Sequence, residues 1–146
     1  ILELLSIYRV SPDQFIIEIT ESVLMQAIEA SVAKLERLQS TGVKIALDDF
    51  GTGYSSLSYL KNLPIDILKI DKSFIDVLGV SESHDDLVET IIRLGQQLDM
   101  HLVAEGVETE AQLEKLKAIN CDAIQGYLFS KPVDALEAKE LIKKNF

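Results

Sequence analysis

Cysteine is nearly missing from this chain. The one residue, Cys121, has no partner for an internal disulfide, so the sequence suits a reducing compartment. No apolar run approaches the roughly 18 residues that a membrane-spanning helix requires. Positive charge is scarce as well: 14 Lys+Arg stand against 24 Asp+Glu, a net charge of −10 with a pI of about 4.6. Sequence-blind binding of nucleic-acid polymers depends on a basic field that releases counterions, and this chain has none. An anionic membrane surface is disfavoured for the same reason. No linker, low-complexity tract or internal repeat is visible. Neither an initiator Met nor a signal peptide opens the chain; Ile1-Leu2-Glu3-Leu4-Leu5 reads as the last turns of a helix already under way, so a piece cut inside a domain is expected.

What is present is globular. The chain is 47% apolar and 26% charged, and 146 residues make about one domain. Short apolar or β-branched runs occur at 15–19, 43–47, 65–70, 101–104 and 123–124. Segments with helical spacing alternate with them. Leu24, Ile28, Val32, Leu35 and Leu38 share one face, with Gly42 as a stop. Leu87, Ile91, Leu94 and Leu98 form a second stripe, and Leu113, Leu116 and Ile119 a third. Thr109 and Gln112 before that third stripe have capping-box spacing. A last helix carries Leu136, Leu141 and Ile142 behind Asp134 as N-cap. Such alternation predicts an α/β fold of about five parallel strands with covering helices. A closed (β/α)8 barrel takes about 250 residues and an open doubly wound sheet fewer, and periodicity alone does not choose between them.

Each strand candidate carries a polar residue at its end: Glu18, Asp48, Lys69, Glu105 and Gln125, with Asp49 directly after Asp48. In parallel α/β folds the carboxyl ends of the strands converge on one ligand-binding face. Carboxylates crowded there repel one another and take up protons unless a cation joins them. Oxygen donors without His or thiol favour Mg2+ or Mn2+ over Zn2+. The Asp48-Asp49 pair suits two ions a few ångströms apart, and Lys69 could hold a water or a phosphate oxygen. Any one of these acids could serve as a helix cap or surface ion pair; their coincidence singles them out. A second signal is the loop 49–56, Asp-Phe-Gly-Thr-Gly-Tyr-Ser-Ser, whose Gly51 and Gly53 permit positive φ and amides facing an anion.

With these residues the chain resembles the EAL family, bacterial phosphodiesterases that hydrolyse cyclic di-GMP. The matching blocks are Glu18-Ile19-Thr20-Glu21, Asp48-Asp49-Phe50-Gly51-Thr52-Gly53, Leu68-Lys69-Ile70-Asp71, Ala104-Glu105-Gly106-Val107-Glu108-Thr109 and Gln125-Gly126-Tyr127, in family order. The resemblance implies a TIM-like (β/α)8 barrel, here a partial one. Residues 1–146 would be an EAL domain truncated at its N-terminus, about 60% of a barrel-sized domain. It implies metal ligation by Glu18, Asp48 and Asp49, with two ions, Mg2+ or Mn2+, in the complete domain. Lys69 would orient the hydrolytic water, and Glu105 would be catalytic. Gln125 would line the site, Glu21 would steady the loop after the Asp pair, and Lys72, Glu108 and Tyr127 would contact substrate.

The product implied is linear pGpG. A homodimer, a cytoplasmic location and sensory or GGDEF modules in a parent chain, itself possibly membrane-anchored, also follow from the resemblance. The family's Glu-Ala-Leu block and an upstream metal-binding Asn are not in the chain, so the piece by itself is expected to be inactive and poorly stable. The alternatives are a catalytically inactive EAL-like receptor or regulatory module, and a purely structural or dimerisation module. Outside the site, His84 is expected in a solvated loop before a helix, and His101 at the strand end away from the site. Cys121 reads as a small buried hydrophobe. Phe50 and Tyr54 could stack on guanine but suit loop packing better, and Lys139, Lys143 and Lys144 suit a solvated last turn.

Overall fold

The structure, a computed structural model, describes residues 1–26, 28–51 and 60–143. Its elements run α1 (Leu2–Tyr8), a 3-10 turn (Pro12–Gln14), β1 (Ile16–Thr20), α2 (Glu21–Gln26), α3 (Ile28–Gln39), β2 (Lys44–Phe50) and β3 (Ile67–Ile70). They continue with α4 (Lys72–Asp76), α5 (Glu82–Gln97), β4 (His101–Ala104), α6 (Glu110–Ala118), β5 (Ala123–Ile124) and α7 (Ala135–Leu141). All pairings are parallel and the strands lie in chain order, β1-β2-β3-β4-β5. Helices α2 and α3 lie between β1 and β2, α4 and α5 between β3 and β4, and α6 between β4 and β5, as crossovers between parallel strands require. Of the residues singled out in the sequence, Thr52, Gly53, Tyr54, Ser55, Ser56 and Lys144 lie outside the described residues.

The central strands are buried on both faces. Ile45, Ala46 and Leu47 of β2, Leu68 and Ile70 of β3, and Leu102 and Ala104 of β4 are all sealed from solvent. Such near-continuous apolar runs are what helices packed on a parallel sheet require. Leu24 and Leu35 from α2 and α3, Ile75 from α4, and Leu116 from α6 complete the core. On α5 the buried face is Val88, Ile91, Ile92 and Gly95, one residue on from the stripe expected through Leu87, and Leu87 itself is exposed. The set at i, i+3, i+4 and i+7 is the one that faces the sheet. The run 81–86 is not a loop. Ser81 is the N-cap and Glu82 opens α5, with the Ser81 hydroxyl 2.8 Å from His84 Nδ1.

Helix ends follow the sequence closely. Thr109 Oγ1 accepts from the Gln112 amide while the Gln112 side chain accepts from the Thr109 amide, the reciprocal capping box. Asp134 caps α7 by accepting from the amides of Leu136 and Glu137. Yet α7 buries none of its residues: Leu136 is 78% exposed, and Ile142 just beyond it 84%.

A device at the amino end of the sheet occurs twice. Asp66, just before β3, accepts from the Ile45 amide of β2 at 2.9 Å and pairs with Lys44 at 3.0 Å. Asp122, just before β5, accepts from the Leu102 amide of β4 at 2.8 Å and lies 3.8 Å from His101 Nδ1. Each acid closes the first unpaired amide of a neighbouring strand and meets one basic side chain. His101 thus sits at the end away from the site, as expected. No described helix is long and apolar enough to cross a membrane.

Candidate active site

At the opposite end of the sheet the strands deliver their polar residues to one point. Lys69 of β3 is 6% exposed, and its Nζ lies 2.7 Å from Glu18 Oε2 of β1, 3.2 Å from Asp48 Oδ1 of β2 and 2.8 Å from Glu105 Oε1 just after β4. Three acids from three strands therefore share one ammonium. Burial alone would lower the Lys69 pKa, but the bonds from Glu105, Glu18 and Asp48 outweigh it and hold the amine well above the ordinary lysine value. Burial pushes the Glu105 carboxyl up; Lys69 pulls it down, while Asp48 and Glu18 add to the rise.

The doubled aspartate owes its geometry to a break in the ladder. The β2–β3 register shifts between Leu47 and Phe50, and Asp49 takes a left-handed backbone with φ 56°, a conformation Asp tolerates better than most residues. A bulge of this kind re-aims side chains near a site. The Asp49 amide donates to Asp48 Oδ1 at 3.0 Å, fixing the Asp48 carboxylate that Lys69 contacts. Phe50 then turns back into the core, packing rather than standing open for stacking.

Glu21, the first residue of α2, is 1% exposed. Its Oε2 accepts from the Gly51 amide at 3.0 Å, and its Oε1 has no hydrogen-bond partner among the described residues. Gly51 needs its missing side chain twice over. Its φ is +96°, and a Cβ would stand 2.6 Å from the Phe74 ring. A buried carboxylate thus anchors the chain just after the aspartate pair.

A cavity of about 490 Å³ opens beside the cluster, with Glu105 in its wall. Lys72, Glu108, Gln125 and Tyr127 line it too, so the four expected substrate contacts share one surface. Lys72 Nζ bonds Asp76 Oδ1 at 2.5 Å and Glu108 Oε1 at 3.0 Å. Asp76 first, then Glu108, raises its pKa. The loops after β4 and β5 are joined through backbone: the Val107 amide donates to the Gln125 carbonyl, and the Leu128 amide to the Val107 carbonyl. Gly126 fits there because a Cβ would come within 2.0 Å of the Val107 carbonyl oxygen. Lys131 also lines the cavity, and sequence reasoning missed it. The only available signal was a lysine shortly after Tyr127, before Pro132. Cys121 is remote from this chemistry; burial pushes its thiol up, as for an inert small hydrophobe.

The expected ligand trio of Glu18, Asp48 and Asp49 is not assembled as such. Among the described residues no group of three His, Cys, Asp or Glu side chains is placed to hold a metal ion, because Glu18, Asp48 and Glu105 close on the Lys69 ammonium instead. The donor chemistry nevertheless fits a hard divalent cation: all donors are carboxylate oxygens, and they already gather around positive charge.

Comparisons with known proteins agree with this architecture. The family described as EAL domain matches residues 1–132. The cyclic di-GMP phosphodiesterase NbdA of Pseudomonas aeruginosa is 45% identical over 127 residues, 87% of this chain and 16% of that protein. The bifunctional diguanylate cyclase/cyclic di-GMP phosphodiesterase MucR of the same organism is 47% identical over 128 residues, covering 88% and 19%. The chain therefore spans less than a fifth of these relatives. The solved PaMucR phosphodiesterase in its c-di-GMP complex superposes with a TM-score of 0.88 at 44% identity, covering 94% of this chain and 56% of that one. Klebsiella pneumoniae BlrP1 in a manganese/cy-diGMP complex gives 0.83 at 34% identity, covering 90% and 33%. The chain belongs to the EAL domain family, and its five parallel strands are part of a TIM-like barrel.

Proposed function

We propose that this EAL-family chain works within a metal-dependent phosphodiesterase that opens cyclic di-GMP to linear pGpG. The observation that carries the reading is the convergence of Glu18, Asp48 and Glu105 on Lys69 beside a cavity of nucleotide size. Glu18, Asp48 and Asp49 would hold divalent cations, Mg2+ or Mn2+, whose chemistry there is to acidify water and neutralise phosphodiester charge. Lys69 stays protonated through any working pH, so it acts as a donor that fixes an oxygen in place and cannot serve as the base. Glu105 is the acid whose affinity for a proton is raised, which suits it to take a proton from the attacking water. Glu21 keeps the Gly51 backbone in position, and with it the aspartate pair. Gln125, Glu108, Tyr127 and Lys72 would form the wall that receives the dinucleotide.

The activity is assigned to the full-length protein, and residues 1–146 are read as the later part of its EAL domain. A homodimer, a cytoplasmic setting and accompanying GGDEF or sensory modules belong to the same proposal. One observation favours a second reading, a cyclic di-GMP receptor without turnover: the ammonium of Lys69 already occupies an oxygen of each of Glu18, Asp48 and Glu105. Product analysis of full-length protein with cyclic di-GMP and Mg2+ or Mn2+ decides between them. Metal-dependent pGpG is expected, with a loss of about a thousandfold or more in Asp48→Asn. Binding without cleavage would support the receptor, and unimpaired turnover by Asp48→Asn would sink the assigned roles.

A further inference from the structure

The cavity wall carries two lysines in unlike states. Lys72 is spent: two carboxylates, Asp76 and Glu108, occupy its ammonium. Lys131 has no carboxylate partner among the described residues. Its Nζ stands 5.7 Å from the centroid of the Tyr127 ring, within the reach of a cation–π contact. That ring belongs to a residue 56% exposed, so the contact is a weak one that a phosphate oxygen would readily replace. The loop is folded for this pairing. The amides of Phe129 and Ser130 donate to the Gly126 carbonyl, and the Ser130 hydroxyl donates to the Lys131 carbonyl. This turn brings positions 127 and 131 to the same wall of the cavity. Glu105 and Glu108 on that wall are each already bonded to a lysine, Lys69 and Lys72, which leaves Lys131 as the lining lysine with no carboxylate on it among the described residues.

We infer that Lys131 is the anion-recognising side chain of the cavity, holding the phosphodiester that is not cleaved while the Tyr127 ring takes a base. Lys72 is then a positioning residue, tying α4 to the loop after β4. The inference rests on the phosphodiesterase reading and adds to it a residue and a specificity determinant.

Titration of labelled cyclic di-GMP into the full-length protein tests it, read as Kd where nothing is cleaved and as KM where pGpG forms. Lys131→Met is expected to weaken the ligand about tenfold and to flatten the salt dependence by about one ion, with kcat within about twofold. Lys131→Arg is expected to restore affinity, and Lys139→Met, away from the cavity wall, to match the unmodified protein. Unchanged affinity and salt dependence in Lys131→Met would overturn the inference and leave the phosphodiesterase reading standing, and so would a loss confined to kcat. Unmodified protein that neither binds nor cleaves cyclic di-GMP would overturn both. Thermal unfolding of each variant separates misfolding from lost recognition, and Lys131→Arg gives the decision if Lys131→Met does not fold.

Discussion

The two ends of the sheet use the same residue types to opposite effect. At the amino end two acids each meet one strand amide and one basic side chain: Asp66 has the Ile45 amide and Lys44, and Asp122 has the Leu102 amide and sits beside His101. At the carboxyl end three acids divide one ammonium, and Asp49 follows next in the chain. Balanced pairs close the sheet against water. The unbalanced cluster keeps net negative charge where a cation or a water can be held, which is the condition for chemistry and a cost to stability. The difference lies in stoichiometry rather than in residue type.

Removing the shared ammonium is the strongest way to break this comparison. Lys69→Met leaves three carboxylates facing one another, and a loss of about 3 kcal/mol is expected in urea unfolding, partly recovered by Mg2+. An equal loss with and without Mg2+ would show that the acids are held by something other than charge balance. A smaller effect is expected at the amino end. Asp66→Asn loses the Lys44 pair, half-exposed and so nearly worthless, and weakens the bond to Ile45, about 1 kcal/mol together, with turnover unchanged. Altered turnover in that variant would mean that the two ends are coupled.

The smallest effect is a difference in pH response. Burial would raise the Asp66 pKa, but the Ile45 amide, Lys44 and Gln39 lower it below the ordinary 3.8. Its stabilisation is therefore complete above 3.8 and lost as pH falls through the depressed folded value. Glu105 has the opposite sign. Its folded pKa is raised above 4.5, so it lowers stability as pH rises from 4.5 through that value. Acid unfolding of Asp66→Asn should show a shallower fall below pH 3.8 than the unmodified protein, and Glu105→Gln a shallower decline above 4.5. Identical curves would remove the distinction between the ends.

Much of this was legible from the residues. Strands β4 and β5 fall where the apolar runs predict, and Thr109, Gln112 and Asp134 cap as their spacing requires, because those signals are local. The meeting of Glu18, Asp48, Lys69 and Glu105 was readable because parallel strands place their carboxyl ends together. Other features depended on what lies opposite. Periodicity identifies residues that share a helix face but not which face is covered, so Leu87, Leu136 and Ile142 belong to apolar stripes in the sequence and stand exposed. The bulge that turns Asp49 left-handed arises from pairing between β2 and β3, which no local pattern announces. Lys131 escaped notice because a lone loop lysine gains meaning only from the cavity it lines.

The joint between Gly126 and Val107 has a consequence for how this wall can change over generations. Because the two turns are sewn together through main chain, Glu105, Glu108, Tyr127 and Lys131 are mounted on one stiff bracket. New ligand preferences can arise by exchanging the side chains it displays. The glycine at its pivot has no such liberty, since even one added methyl would pry the turns apart.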